Sequence, residues 1–372
     1  MIAKSARRKA SAAGVGTVPM PWWAWAWPVL AWIALLAAFL LGTSGPLAAF
    51  CGAVLIATVF AAVYHAEVVA HRTGEPFGTL VLAIAVTIIE VALIVSVMIG
   101  APTGKQELAR DTVFAAVMIV CNGIVGVCLL WGGARHGEQG FHLHGASAAL
   151  AVLAALTILT LVVPNVATTA PGPEFSPSQL VFAGVISLLL YGAFVFVQAV
   201  RHRDYFLPVA GGEESHLPPP SNSAAATSGG LLLAALLAVV GLAKAVTPAV
   251  DAGIVRLGVP QGVVGIVIAA LVLLPEGLAA LNAAKANRLQ TSLNLALGSA
   301  LASIGLTIPA VAFVSIALQR PLTLGLDQKG EVLLGLTLLV GIITLGTGRT
   351  TVLQGIVHLA IFAAFLFFAV VP

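Results

Sequence analysis

The chain has 372 residues, of which 60% are hydrophobic and only 8% charged, with a formal net charge of +3 at pH 7. Soluble domains carry about 25% charged residues, so this composition excludes a soluble globular protein and leaves a polytopic membrane protein. The small positive balance comes from a basic N-terminal stretch and argues against a nucleic-acid surface.

Residues 1–21 read as a basic cytoplasmic tail carrying Lys4, Arg7, Arg8 and Lys9. The apolar run 22–42 is too long for the h-region of a signal peptide and no cleavage site follows it, so it is expected to be an uncleaved first helix. Its Trp22, Trp23, Trp25 and Trp27 suit a membrane–water interface. Hydropathy then predicts ten further spans, near 46–64, 78–100, 112–133, 145–164, 178–200, 229–249, 260–281, 291–318, 331–347 and 351–371. Cys51, Cys121 and Cys128 all lie inside apolar runs and read as small core residues.

The third span is the informative one. Gly78 to Gly100 covers about 34 Å at ~1.5 Å per residue, enough for a hydrocarbon core of about 30 Å. Its only charge is Glu90. A carboxylate near mid-bilayer costs about 2.5–3.5 kcal/mol on insertion scales, so it is expected to have a partner or a function. The arrangement recurs in the eighth span. Gly74-Glu75-Pro76-Phe77-Gly78 and Gly258-Val259-Pro260-Gln261-Gly262 share the pattern Gly-x-Pro-x-Gly, and each opens an apolar run with a lone glutamate, Glu90 or Glu276. The glutamate follows the second glycine by 12 residues in one copy (90 − 78) and by 14 in the other (276 − 262), so the copies are similar rather than identical, or one helix is interrupted. Paired segments of this kind in the two halves of a chain mark the binding site of a secondary transporter.

Lys and Arg give the orientation. With the N-terminus cytoplasmic, the inside segments hold Lys4, Arg7, Arg8, Lys9, Arg72, Arg135, Arg201, Arg203, Lys285, Arg288 and Arg349. The outside loops hold only Lys105, Arg110, Arg256, Arg320 and Lys329. The count gives an all-α fold of about 11 transmembrane helices: one extra helix (22–42), a first five-helix repeat (46–200), a cytoplasmic linker (201–230) and a second five-helix repeat (231–372). Five is odd, so the two repeats must lie oppositely in the membrane, with Glu90 and Glu276 meeting near the midplane. The linker contains Glu213, Glu214, His216 and Pro218-Pro219-Pro220 and reads as a flexible tether, with cation sensing as the alternative.

Further candidates surround the two glutamates. Thr87 lies one turn before Glu90. Asn122 in span four, and Ser292, Asn294, Ser299, Ser303 and Thr307 in span nine, supply the amide and hydroxyl oxygens that hard cations take. Small-residue helix packing is the alternative use of the same pattern. Glu67 and His71 are four apart on one helix face and could form a proton-entry or metal site, or simply end a helix at the interface. His136, His142 and His144 have no zinc-motif spacing. No nucleophile–base pair, phosphate-binding glycine loop or cofactor motif is present, which argues against an ATP-driven pump and against most membrane enzymes.

His65-Ala66-Glu67-Val68-Val69-Ala70-His71 followed by Gly74-Glu75-Pro76-Phe77-Gly78 resembles the calcium/cation–proton exchangers, within the cation/calcium exchanger superfamily. So do Ile89-Glu90-Val91-Ala92-Leu93-Ile94 and the stretch from Leu297 through Gly298-Ser299 and Ser303 to Thr307. The resemblance runs through essentially the whole chain from Trp22. It implies an extra helix plus two inverted five-helix repeats, with Glu90 and Glu276 alternately protonated and cation-bound. It also implies an acidic stretch between the repeats, which is thin here. Eukaryotic members commonly place Asn three residues before each glutamate and His after the second; this chain has Thr87, Leu273 and Gly277 there. That poorer set of polar groups leaves Ca²⁺, Na⁺ and K⁺ all open.

The expected function is antiport of Ca²⁺ or Na⁺/K⁺ against H⁺ across the bacterial inner membrane, with no cofactor. Its partners are inorganic cations, protons and the lipid bilayer, and homo-oligomerisation stays open. The rival is a channel, or a membrane-embedded enzyme using the two glutamates as an acid–base pair.

Overall fold

The computed structural model describes residues 20–43, 45–74, 77–100, 106–207, 219–258, 260 and 262–371. The basic tail with Lys4, Arg7, Arg8 and Lys9, the motif residues Glu75, Pro76, Val259 and Gln261, Lys105, and the linker residues Glu213, Glu214 and His216 lie outside the described residues.

Eleven helices form among the described residues. They are α1 (Trp22–Leu41), α2 (Gly45–Thr73), α3 (Phe77–Gly100), α4 (Leu108–His136), α5 (Leu143–Asn165), α6 (Pro177–Arg201), α7 (Asn222–Leu257), α8 (Gly262–Lys285), α9 (Leu289–Leu318), α10 (Gln328–Leu345) and α11 (Val352–Val370). Ten of them are long and apolar enough to cross a membrane, and α3 is a 24-residue apolar helix as well. A bilayer offers no water to backbone groups, so apolar runs of this length satisfy them internally as helices.

Two boundaries differ from expectation for stated reasons. Helix α2 continues past the apolar run to Thr73, because His65 to Arg72 extend it as a polar last two turns. Helix α7 begins at Asn222, inside the stretch expected as linker. Ser221 Oγ accepts from the Ala224 backbone N–H at 3.1 Å and caps an alanine-rich first turn, Ala224 to Ala226.

The chain builds one extra helix and two inverted five-helix repeats, α2–α6 and α7–α11. The two repeats open with equivalent helices, and among the described residues α2 and α7 pack against each other more extensively than any other helix pair. The residues these two helices bury include Ala61, Ala62 and Ala66 of α2 and Ala235 and Ala238 of α7. Small side chains let backbones approach where lipid supplies no hydrophobic force between helices.

The loops carry the same symmetry. On one face β1 (Gln139–Gly140, between α4 and α5) pairs antiparallel with β2 (Arg349–Thr350, between α10 and α11). On the other face the α5–α6 and α9–α10 loops pair through Glu174 and Thr323. Exchanging the repeats converts one loop pairing into the other. The first face also brings together Arg72 with Asn222, His136 with the Lys285 carbonyl, and Gln290 with the Tyr205 carbonyl. It is called the linker face below.

The paired glycine motifs act alike. Gly74 ends α2 with φ +71° and Gly258 ends α7 with φ +63°, the left-handed region that glycine enters without strain. Gly78 then packs against the Ala70 carbonyl with no room for a Cβ. Both glutamate helices are continuous, so the different spacing reflects similar rather than identical copies, not an interruption.

The extra helix is tied in by a proline. Pro28 inside α1 has no N–H, so the Ala24 carbonyl loses its helical donor. His65 of α2 replaces it, with Nε2 2.9 Å from that oxygen. His65 is fully buried and its Nδ1 has no partner.

Candidate functional site

Glu90 lies midway along α3 and is 2% exposed. Ser303 of α9 sits against it, Oγ 2.7 Å from Oε1 and 2.8 Å from Oε2. The bond crosses between the repeats. Thr307 lies one turn further along α9, close enough to interact with Glu90; its buried hydroxyl has no hydrogen-bond partner. Thr87 is buried one turn before Glu90. A buried charge without a partner is strongly disfavoured, so Ser303 offsets part of what it costs to keep Glu90 here.

Glu276 sits differently. Its Oε2 is buried with no hydrogen-bond partner. The carboxyl lies within electrostatic reach of Glu67 and Glu90. Pro275 precedes it inside α8 and supplies no N–H, so the Leu271 carbonyl lacks its helical donor. Glu276 also lines a cavity of about 370 Å³ bounded by α3, α6, α8 and α9. Ser299 and Asn294 of α9 line the same space, as do Gln198 and Arg203 at the end of the first repeat.

At the linker face the cavity is lined by Arg203, Phe206 and Leu207. Phe206 is buried and meets Phe194 edge-on at 5.8 Å. The Phe206 carbonyl accepts from Asn294 Nδ2 at 2.6 Å, and the Tyr205 carbonyl accepts from Gln290 Nε2 at 3.5 Å. His144 and His202 stack on the Tyr205 ring, each with centroids 5.0 Å away.

The structure therefore brings Glu90 together with Ser303, and places Glu276 and Ser299 on the wall of one cavity. Asn122 is engaged elsewhere. It lies in a π-helical segment of α4 (Ile119–Ile124), a distortion common at functional sites. Its Nδ2 donates to Thr337 Oγ1 at 2.8 Å, and its Oδ1 faces His358 Nδ1 at 3.1 Å. His358 Nε2 in turn meets Thr344 Oγ1 at 3.1 Å. Thr337 donates to the Leu333 carbonyl and accepts from Asn122 Nδ2, an arrangement in which Asn122 Oδ1 faces His358 Nδ1. Glu67 and His71 are exposed near the end of α2, with no ion pair between them among the described residues.

Sequence reasoning did not single out the cavity residues Gln198 and Arg203 or the His358 network. A lone histidine in the last apolar run was the available signal for the network. Among the described residues no group of three or more His, Cys, Asp and Glu could hold a metal ion, and all three cysteines are free and buried.

Two inverted repeats with an intramembrane acid from each define a secondary transporter, with substrate handled at the interface between the repeats. The family model for the sodium/calcium exchanger protein matches residues 43–200 and again 227–371, one match per repeat. The chain belongs to the sodium/calcium exchanger family, and it is a cation exchanger rather than an enzyme. It is 51% identical to the y4hA protein of Sinorhizobium fredii (strain NGR234) over 361 residues, 96% of this chain and 98% of that one. It is 35% identical to the sodium-potassium/proton antiporter ChaA of Escherichia coli (strain K12) over 349 residues, 91% of this chain and 93% of that one. Among solved structures it shares its fold with native YfkE (TM-score 0.72, 18% identity, 94% of this chain and 100% of that one). The H⁺/Ca²⁺ exchanger CAX has the same fold (TM-score 0.69, 14% identity, 91% and 87%).

Proposed function

We propose that this protein is a cation/proton antiporter that exchanges Na⁺ or K⁺ for H⁺, with Glu90 and Glu276 as the carboxylates for which protons and cations compete. The observation that carries this reading is the pair of unlike acids: Glu90 bound by Ser303 from the opposite repeat, Glu276 with an orphan oxygen at a cavity wall.

Proton and cation exclude each other at such a site. One hydroxyl carries one proton, yet Ser303 Oγ lies within hydrogen-bond distance of both Glu90 oxygens. A proton on Glu90 occupies one carboxyl oxygen and leaves the serine bonded to the other. A cation takes that proton's place by accepting both carboxylate oxygens as ligands and turning the serine oxygen toward itself. Only one of the two is held at a time; exchange is coupled when the empty, charged site does not rearrange, and rearrangement of the repeats presents the loaded site to the other face.

The scarcity of ligands favours a monovalent ion. Ca²⁺ takes 6–8 oxygens. Here Leu273 and Gly277 offer no side-chain oxygen, and the Asn122 amide is engaged with Thr337 and His358. The 35% identical antiporter named for sodium and potassium supports the same choice. Ca²⁺ is the second reading, favoured by the two carboxylates that would balance its charge. Glu67 and His71 are proposed to pass protons between the linker face and Glu276, since Glu67 is within its electrostatic reach.

The bacterial inner membrane is the proposed location, with the N-terminus and linker cytoplasmic and residue 372 outside. Labelling of single cysteines introduced at 201–230 from the periplasm of intact cells would overturn that orientation. For the exchange itself, purified protein in sealed vesicles is given an imposed ΔpH, and Na⁺, K⁺ and Ca²⁺ are added in turn. Dissipation only on adding a cation supports antiport. Dissipation without one indicates a proton channel and refutes the reading.

A further inference from the structure

Among the described residues, Glu276 and Arg203 are the only charged ones lining the 370 Å³ cavity. A guanidinium beside a cation route works against the ions that use it. Arg203, whose side chain is exposed, has its backbone held in place. It opens a short 3₁₀ turn (Arg203–Tyr205) clamped through the Tyr205 and Phe206 carbonyls by Gln290 and Asn294, and through the Tyr205 ring by His144 and His202. Gly145 packs against the Tyr205 carbonyl with no space for a Cβ. Among the described residues Arg203 makes no salt bridge that would cancel its charge. Its neighbour Asp204 is not part of the cavity lining.

We propose that Arg203 is a specificity-determining residue that disfavours divalent cations relative to monovalent ones at the linker-face mouth of the cavity. The proposal rests on the transport reading above and adds the ion class that the mouth selects. The physics fixes a ratio. A point charge raises the energy of an ion in proportion to that ion's charge, so a penalty factor f for Na⁺ becomes f² for Ca²⁺. A guanidinium about 10 Å from the ion, at an effective dielectric constant of about 50, gives f of about 3 and f² of about 9. Screening removes most of both within a Debye length of about 3 Å at 1 M salt. A merely structural arginine would carry no such dependence on ionic charge.

The test compares wild type, Arg203→Gln and Arg203→Lys in zwitterionic lipid vesicles at low ionic strength. Half-saturating Na⁺ and K⁺ are read from cation-driven proton flux, and Ca²⁺ either as the driving ion or as the inhibitor of Na⁺-driven flux. Arg203→Gln should lower the Na⁺ and K⁺ values about threefold and the Ca²⁺ value about ninefold. Arg203→Lys should behave as wild type, and added inert salt should erase the differences. Equal shifts for the three ions, no shift, or shifts indifferent to salt overturn the proposal while leaving antiport intact. If Arg203→Gln does not fold, a salt-insensitive Ca²⁺/Na⁺ ratio in the wild type overturns it instead. Wild-type protein that moves no protons with any of the three cations overturns the transport reading and this proposal with it.

Discussion

Replacing Ser303 with Ala asks whether the bond to Glu90 sets the competition between proton and cation. Ser303 is 6% exposed and its hydroxyl meets both carboxylate oxygens at 2.7 and 2.8 Å. Both charge states of Glu90 lose something when it goes. The ionised form loses about 1.5–3 kcal/mol and the protonated form about 0.5–1.5 kcal/mol, by the usual worth of bonds to charged and neutral groups. The difference, about 1–1.5 kcal/mol against the ionised form, corresponds to roughly tenfold at ~1.4 kcal/mol per decade. A cation can bind only the ionised form, so half-saturating Na⁺ should rise about tenfold at constant pH, with maximal exchange largely kept. Ser303→Thr keeps a hydroxyl and should recover most of the affinity. Ser299→Ala, in the cavity wall beside Glu276 and not bonded to Glu90, serves as the control and should shift the value less. The assay is proton flux against Na⁺ concentration in vesicles holding equal amounts of folded protein. A folded Ser303→Ala with unchanged half-saturation would refute the reasoning.

Glu90→Gln and Glu276→Gln should each abolish exchange even at saturating cation, because the proton half of the cycle loses its carrier too. The double variant should be little worse than either single one, since both act in one cycle; near-normal maximal flux in either single variant removes that glutamate from the mechanism. His65→Ala leaves the Ala24 carbonyl without its replacement donor and should lower stability by about 1–3 kcal/mol, seen as a lower melting temperature in detergent with exchange retained. Gly265→Ala places a Cβ 2.8 Å from backbone atoms of Asp111 and Thr112, so α8 and α4 must separate; a loss of about 1–3 kcal/mol is expected in the same melting assay, and an unchanged melting temperature would count against that packing.

The fold was largely legible because its signals are local. Twenty-residue apolar runs announce helices, and an odd number per repeat forces the inversion. Gly74 and Gly258 mark equivalent helix ends by a backbone need that only glycine meets cheaply. The site was legible only in its acids. A carboxyl inside an apolar run stands out whatever surrounds it, whereas pairing is a tertiary fact. Ser303 and Asn122 look equally suitable in sequence; folding brings one to Glu90 and commits the other to Thr337 and His358. Arg203 read as a loop charge because nothing local reveals that Gln290 and Asn294, nearly ninety residues later, draw its turn over the cavity.

The symmetry that holds in the loops is broken at the acids. The two faces are tied by equivalent loop pairs, and α6 packs on α9 much as α11 packs on α4. The glutamate helices do not match: α8 packs chiefly on α4 and α9, whereas α3 packs chiefly on α2 and α7. Glu90 is accordingly enclosed with Ser303 while Glu276 keeps an unpartnered oxygen and borders the cavity that Arg203, Phe206 and Leu207 line at the linker face. Two copies of one element thus sit in two environments at once. On the proposed mechanism, exchanging those environments between the repeats moves the open side from the linker face to the other face without new contacts being invented. Loop pairings common to both arrangements would hold the ends fixed while α3 and α8 trade neighbours. The energy difference between the two states then lies in the few groups that differ, chiefly the occupancy of Glu90 and Glu276, which lets a proton or a cation of either charge act as the switch.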